Sequence, residues 1–167
     1  MTGLDRIREA LTDCLNQAGI EAVSAWSARS KTHPRKAVTA VSLRGCSAQP
    51  GGFRDYLGER YNKETDRWEE LYGCKAKLTF GLDIYAPGQD GGSQCQQAFD
   101  RLADLFHSGK LPGLRLESLN REETVYDGEL GLFRCPVQAV CYAFLYAVAD
   151  EEGVFTDFEV RGGRTNE

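Results

Sequence analysis

The sequence predicts an α+β fold: a mostly antiparallel sheet with two helices packed on one face, plus a β-hairpin excursion. Three observations support this prediction. Two segments repeat their apolar residues every three or four positions, as amphipathic helices do. Several others alternate apolar and polar residues, as half-buried strands do. The two helical segments are separated by runs of strands, which favours α+β over a regularly alternating parallel α/β fold.

The first helix is predicted over residues 4–18. Its apolar stripe consists of Leu4, Ile7, Leu11, Cys14, Leu15 and Ala18. Thr2 is the candidate N-cap, and Gly19 is placed to end the helix in a left-handed conformation. Because one side is apolar, this helix must pack against another element of the domain.

Two strand-like segments follow, at residues 20–26 and 37–46. Their short length and β-branched content favour strands, although neither alternates cleanly. Residues 29–36 between them are polar and basic and include Pro34. We expect this segment to be an exposed loop that joins the two strands into an antiparallel hairpin.

The segment 49–52, Gln-Pro-Gly-Gly, should interrupt regular structure. Residues 53–73 are aromatic and charged without a clear period. Within them, Tyr61 and Trp68 stand at the two ends of a polar tip, which predicts a strand, a turn and a second strand. We interpret 53–73 as a hairpin-like excursion.

The clearest strand lies at residues 75–85. Its apolar side consists of Ala76, Leu78, Phe80, Leu82 and Ile84. The residues between them are mostly polar, so we expect one side of this strand to be buried and the other to face water.

A glycine-rich turn at 86–92 leads to the second helix, predicted over 94–107 with Ser93 as its N-cap. Its apolar stripe consists of Cys95, Ala98, Phe99, Leu102, Leu105 and Phe106. Gly109 follows the end of this helix, where a left-handed residue is common.

The rest of the chain is predicted as strands at residues 114–121, 132–148 and 155–160, with a turn at 126–128. Pro136 has no N–H to donate to a ladder, so it should lie at an edge or a bulge. We interpret residues 1–167 as a single domain that ends in a flexible tail at 162–167.

Composition and charge exclude several classes of protein. The net charge is −5, whereas a dedicated nucleic-acid binder needs a basic surface, so we expect no specific nucleic-acid binding. The longest apolar run, 137–149, is shorter than the roughly 20 residues that cross a bilayer. The N-terminus carries no apolar segment typical of a signal peptide. The six cysteines are therefore interpreted as buried reduced thiols of a cytoplasmic protein.

The sequence predicts no catalytic, cofactor-binding or metal-binding residues. His33 lies in the basic loop and His107 at a helix end, and no spacing pairs either with a nucleophile, so packing or capping is favoured. There is no Cys-x-x-Cys pair, which makes structural zinc an unfavoured interpretation. Gly88, Gly91 and Gly92 precede a helix but match no phosphate-binding motif, and are interpreted as a plain turn.

Charged and aromatic residues give the candidate protein contacts. The acidic groups at 66–70 and 150–152 are interpreted as a solvated surface. The basic loop either keeps a loop tip soluble or contacts an acidic protein surface. The aromatic residues of the excursion either form a buried cluster or contribute to an interface. The candidate contacts are Arg29, Lys31, Arg35, Lys36, Phe53, Tyr56, Tyr61, Trp68 and Tyr72.

The order of elements resembles a known family. An N-terminal helix and a hairpin are followed by the strand LTFGLDIY at 78–85, a glycine turn and the helix at 94–107. The closing strands end in DFEVRG at 157–162. Across nearly the whole chain this order resembles the tail-terminator and tail-completion (head–tail joining) proteins of long-tailed phages and prophages. The excursion is longer than the simplest members carry, which leaves open a head–tail connector or a tail-sheath-linked role.

The resemblance implies a non-enzymatic subunit of a ring, six-fold in this family, that caps the growing tail tube. The implied partners are copies of itself, the tail tube protein and the head connector protein. The implied location is the bacterial cytoplasm during assembly and then the virion or a phage-like tail particle. The competing hypothesis is a small cytoplasmic enzyme or ligand-binding domain with a pocket between helix 94–107 and the sheet. A deep pocket that holds His107 beside a cysteine or carboxylate would favour that alternative.

Overall fold

The computed structural model describes residues 3–24, 34–50, 55–111, 113–149 and 155–161, with backbone alone from residue 146 onward. These residues form two helices, α1 (Gly3–Gln17) and α2 (Gly91–His107). The strands in chain order are β1 (Ala22–Ser24), β2 (Val38–Pro50), β3 (Tyr56–Asn62), β4 (Arg67–Ala86), β5 (Arg115–Arg121), β6 (Val125–Asp127), β7 (Leu132–Cys135), β8 (Val137–Ala149) and β9 (Phe155–Arg161).

A single sheet is organised around β4. Strands β2 and β3 pair with one edge of β4, and β7 and β8 pair with the other. Outside these lie β1 beside β2, β6 beside β7, and both β5 and β9 beside β8. Every pairing except that of β1 with β2 is antiparallel. The predicted α+β fold with its hairpin excursion is therefore confirmed.

Both helices pack on the same face of the sheet. Their stripes meet the even-numbered residues of β4 in one cluster, as the alternation and the helical periods predict. The members that show no exposed surface include Leu11, Leu15, Ala76, Leu78, Phe80, Leu82, Ile84 and Leu102. Burying each such large side chain stabilises the fold by about 1.5–3 kcal/mol before the entropy of ordering is subtracted.

The helix ends are partly as predicted. Gly19 and Gly109 have φ of +78° and +70°, so each adopts the left-handed conformation expected beyond a helix. The prediction of Ser93 as the N-cap of α2 is wrong, because the helix already begins at Gly91 and Asp90 is its N-cap. The turn closes earlier, since the Gly91 N–H donates to the Gly88 carbonyl at 3.2 Å. Thr2 lies outside the described residues.

The predicted antiparallel hairpin of the first two strands is wrong, because β1 pairs with β2 in parallel. Ala22 is opposite Thr39 and Ser24 is opposite Val41. Parallel pairing needs a connection of a dozen or more residues. The segment 25–37 between the strands has that length, so the chain can return to the start of β1 before it enters β2.

Several strand boundaries differ from the prediction, and residues 126–127, predicted as part of a turn, belong to β6. Strand β2 runs on to Pro50, and β4 joins the second strand of the excursion to the strand predicted at 75–85. The strand predicted at 132–148 is divided into β7 and β8 at Pro136. The two parts share one register on β4, with Cys135 opposite Ile84 and Gln138 opposite Gly81. Pro136 interrupts the ladder because it has no N–H to donate.

Candidate protein-interaction surfaces

Residues 56–74 form an extension of the sheet that we call the arm. Here β3 pairs with β4, and the far end of β8 pairs with the other edge of β4. No arm residue belongs to the buried core, which begins on β4 at Ala76. The main helix contacts are with β1, β2, β4, β5 and β7. Within the described part of the chain, the arm is therefore sheet without a packed helical layer.

Aromatic pairs line one side of the arm. The rings of Tyr61 and Trp68 lie edge to face with centroids 5.5 Å apart, and Tyr56 and Tyr72 form a second such pair at 5.5 Å. Each pair is worth about 0.5–1.5 kcal/mol beyond its buried area. Trp68 remains 56% exposed and Tyr61 44%. Two of the predicted contact pairs thus meet on the surface rather than in a buried cluster.

Two carboxylates stand between the aromatic pairs. Glu59 and Glu70 are cross-strand partners on the same side of the arm. Tyr56 Oη donates to Glu59 at 3.1 Å, and Tyr72 Oη donates to Glu70 at 2.5 Å, which raises the pKa of Tyr72. Within the described ranges neither carboxylate forms an ion pair. We call this side the aromatic–acidic face; it comprises Tyr56, Glu59, Tyr61, Trp68, Glu70 and Tyr72.

The other side of the arm carries an ion pair. Arg60 Nε lies 2.7 Å from a Glu69 carboxylate oxygen, and Asn62 Nδ2 donates to the second Glu69 oxygen at 2.8 Å. Arg67 lies on this side too, opposite Asn62. The two sides therefore differ in chemistry, with arginines and a paired carboxylate on one and two carboxylates among aromatic rings on the other.

The tip of the arm fixes its register. Asn62 Oδ1 accepts hydrogen bonds from the N–H groups of Glu64 and Thr65, at 2.9 and 3.3 Å. Asp66 closes the turn with a φ of +57° and accepts a hydrogen bond from Tyr61. Asparagine and aspartate tolerate these conformations better than most residues. The turn thereby places Tyr61 opposite Trp68.

The face of the sheet without helices carries a charged cluster. Asp83 accepts hydrogen bonds from Arg44 at 2.7 Å and from Arg134 at 2.9 Å. Arg44 stands at a bulge of β2, next to Gly81, where an added Cβ would lie 2.3 Å from Arg44 Nε. Asp83 is only 8% exposed. The prediction that this side of residues 75–85 faces water is thus wrong at Gly81, Asp83 and Tyr85, which are all buried.

A basic strip lies on the same helix-free face, near the arm. We define it as Lys75, Lys77 and Arg115, which surround the Tyr142 ring. Lys75 Nζ lies 4.0 Å from the centre of that ring, and Arg115 is opposite Tyr142 in the ladder. Lys77 Nζ pairs with Glu117 at 2.8 Å, and this hydrogen bond lowers the pKa of Glu117.

Of the predicted basic contacts, Arg35 and Lys36 lie far from the arm along the sheet. Arg35 and Lys36 are exposed and precede the end of β2 that pairs with Tyr85. The arm begins beyond the opposite end of β2, where Pro50 is opposite Cys74. Arg29, Lys31 and Phe53, like His33 and the segments 150–152 and 162–167, lie outside the described residues.

A cleft of about 380 Å³ lies between α2 and the start of the sheet. Its charged lining residues are Glu21, Lys36 and Arg101. His107 does not line this cleft; its Nδ1 bonds the Ala103 carbonyl at 2.7 Å within its own helix. The cleft is therefore not a deep pocket that holds a histidine beside a nucleophile.

The buried thiols of Cys95 and Cys141 are poor nucleophiles. Burial raises the pKa of Cys141 to about 12 and that of Cys95 to about 11, so both stay protonated at neutral pH. Among the described residues, no three histidine, cysteine, aspartate or glutamate side chains lie close enough together to hold a metal ion. The part of the chain that is described contains no helix long and apolar enough to span a membrane.

Sequence reasoning missed the Asp83 cluster and the pairing of Glu59 with Glu70. For Asp83 the sequence carried no signal, because the alternation of residues 75–85 places it on the side expected to face water and its partners Arg44 and Arg134 come from two other strands. For Glu59 the register of the hairpin is required, and a bulge between Tyr56 and Gly58 obscures it.

Comparison with known proteins found no protein family whose model matches the chain and no curated protein that matches it.

Proposed function

We propose that this chain is a structural assembly protein, a ring-forming subunit of the tail-terminator or tail-completion type. It would act at the head-proximal end of a tail tube, through contacts with its own copies, the tube protein and the head connector. The observation that carries this proposal is the arm: a sheet extension outside the helix-covered core that displays an exposed aromatic–acidic face.

The arm suits protein contact for energetic reasons. Tryptophan and tyrosine are the residues that most often dominate binding energy at interfaces, because each offers a large rigid surface. On the arm these rings remain partly exposed, so covering them is a favourable change that association can supply. Strand β4, with 20 residues, spans about 66 Å at about 3.3 Å per residue, which lets the arm reach beyond the domain.

The order of elements supports a role in a phage tail. A helix, a strand pair, a long strand, a second helix and a closing strand set resemble the tail-terminator family, and its subunits work without catalytic residues. The length of the arm keeps a head–tail connector or a tail-sheath-linked role within the same proposal.

A small cytoplasmic enzyme or ligand-binding domain is the alternative function. The cleft beside α2 is the observation that favours it, since Lys36 and Arg101 give it two cations. This cleft suits binding of an anionic ligand better than nucleophilic chemistry, because no histidine or cysteine of the described ranges lines it.

Assembly is tested by size-exclusion chromatography with light scattering on the wild type and two variants. We expect a wild-type ring, alone or with the tube protein, and weaker assembly of Trp68→Ala and Arg35→Glu with unchanged folding. Tyr126→Ala is the matched control, since Tyr126 is an exposed aromatic on β6 outside the arm. Assembly of both variants at wild-type strength would remove these contacts from the proposal.

The proposed role at the tail tube needs a separate test. We expect the coding gene to lie beside genes for a portal, a major tail protein and a tape measure, and the purified chain to bind the tube protein. A wild-type chain that neither self-associates nor binds the tube protein would overturn the proposed function.

A further inference from the structure

The two surfaces nearest the arm carry opposite charge. The aromatic–acidic face presents Glu59 and Glu70 without cationic partners among the described residues. The basic strip presents three cations; among the residues that the structure describes, Lys77 is the one paired with a carboxylate, that of Glu117. A basic strip on a chain of net charge −5 is a local feature, and such patches fix the choice and register of partners.

These two surfaces point in opposite directions. Side chains alternate along β4, and its register on β8 continues without a shift from Glu70 to Gly81. Glu70 therefore lies on the helix-bearing side of the sheet, together with Ala76 and Leu78, while Lys75 lies on the other side. One molecule cannot place its own arm face on its own strip.

Aromatic rings of the arm suit the cations of the strip. Within the chain, the Lys75 ammonium already lies over the Tyr142 ring, and the Arg121 guanidinium lies 5.5 Å from the centre of the Phe99 ring. Cation–π contacts of this kind are worth about 0.5–1 kcal/mol at exposed sites and more when water is excluded. Trp68 and Tyr61 offer the same ring faces next to Glu70 and Glu59.

We propose that the aromatic–acidic face of one copy docks on the basic strip of a second copy. This inference rests on the proposed function and names the pair of surfaces that joins neighbouring subunits. Because the two surfaces differ, the contact is head-to-tail, and repetition closes a ring when the rotation between neighbours allows it. The contact weakens as salt rises, since its charges lie at the surface.

Charge reversal provides the test. The arm variant carries Glu59→Lys and Glu70→Lys, and the strip variant carries Lys75→Glu and Arg115→Glu. Lys77 is left in place so that the pair with Glu117 remains. We expect each variant to dissociate at a concentration at least about tenfold higher than the wild type, because like charges now meet.

Mixing the variants separates this contact from general charge effects. An equal mixture should assemble again with the two variants alternating, because the intact arm meets the intact strip at one contact and the reversed arm meets the reversed strip, with complementary charge, at the next. A chain that carries all four substitutions should assemble again, since the complementary charges are restored with reversed sign.

Controls keep the charge and the fold constant. Glu122→Lys with Glu123→Lys matches the arm variant, and Arg6→Glu with Lys110→Glu matches the strip variant; all four side chains are exposed. If a reversed variant unfolds in circular dichroism, the neutral pair Glu59→Gln and Glu70→Gln replaces it. We expect all control variants to assemble like the wild type.

The results distinguish two failures. Wild-type assembly that neither reversal weakens overturns this inference and leaves the proposed function standing. An arm reversal that abolishes tube binding but spares self-association assigns the arm to the tube protein, and also overturns it. A wild type that remains monomeric alone and with the tube protein overturns both proposals.

Discussion

The two halves of strand β4 show what helix cover does to a sheet. From Ala76 to Ala86 the side chains that face the helices have no exposed surface. From Arg67 to Cys74 the same strand pairs with β3 and, from Glu70 onward, with β8, yet contributes no residue to the core. Both halves are paired with neighbouring strands, so the difference lies in apolar burial. We call the helix-covered part of the sheet, together with the two helices, the body. We infer that the body supplies the stability and that the arm supplies the contact surface.

The largest expected difference concerns access to cysteines. Cys46 is exposed, whereas Cys141 is buried in the body and its pKa is raised to about 12. Labelling of Cys141 therefore requires opening of the body, and we expect it to be at least about a thousandfold slower than labelling of Cys46. Mass spectrometry of peptides after timed alkylation at neutral pH measures both rates. Similar labelling rates would show that Cys141 is as accessible to the reagent as the exposed Cys46.

Within the body, removal of a central ring should cost most. Phe80 is fully buried on β4 beneath the helices. We expect Phe80→Ala to reduce the free energy of unfolding by about 3–5 kcal/mol, through lost burial and the cavity left behind. Urea denaturation followed by circular dichroism measures this change. If the free energy of unfolding fell by less than it does when an exposed residue is substituted, Phe80 would not be part of the stabilising core.

The Asp83 cluster should have an intermediate effect. In Asp83→Asn, Arg44 and Arg134 keep a partner of similar shape but lose its charge. We expect a loss of about 1–2 kcal/mol, because both guanidinium groups are partly solvated and water screens the interaction. Asp13→Asn, on the exposed side of α1, is the matched control. Equal stability of the two variants would show that the cluster contributes nothing measurable.

Gly81→Ala should cost less, about 1 kcal/mol, because the added methyl displaces the end of the flexible Arg44 side chain and the Ser42 hydroxyl rather than backbone atoms. The substitution removes the contact of Arg44 with Asp83 rather than disturbing the backbone. In a double-mutant cycle with Arg44→Ala, the effect of Gly81→Ala should largely disappear. An undiminished effect in the Arg44→Ala background would indicate backbone strain instead.

The smallest stability change is expected on the arm. Trp68→Ala loses an exposed edge-to-face pair with Tyr61 and should lower the free energy of unfolding by no more than about 1 kcal/mol. The same variant is expected to weaken assembly, so its two readouts diverge. A loss comparable to that of Phe80→Ala would make the arm part of the stabilising core.

Much of the body could be predicted because a single rule governs it. The alternation of Leu78, Phe80 and Leu82 and the stripes of both helices depend only on which side is buried. The strand, turn and strand around Tyr61 and Trp68 were predicted from a different signal, an aromatic residue at each end of a polar tip. These features depend on residues that are close together in the sequence, so a pattern in the sequence is enough to predict them.

Pairing direction and local chemistry could not be predicted in the same way. The parallel pairing of Ala22 with Thr39 depends on the path of a long connection, for which the residues carry no turn signal. Burial of Asp83 depends on Arg44 and Arg134, which come from two other strands. The alternation along one strand cannot reveal partners that only the sheet brings together.

Hydrogen–deuterium exchange at low and high protein concentration tests most directly whether the arm, and not the body, forms the contact surface. We predict that association slows exchange in the backbone amides of β3 and of residues 67–72, while amides of α1 and α2 exchange at unchanged rates. Protection that appears on the helices and leaves the arm unchanged would contradict the account.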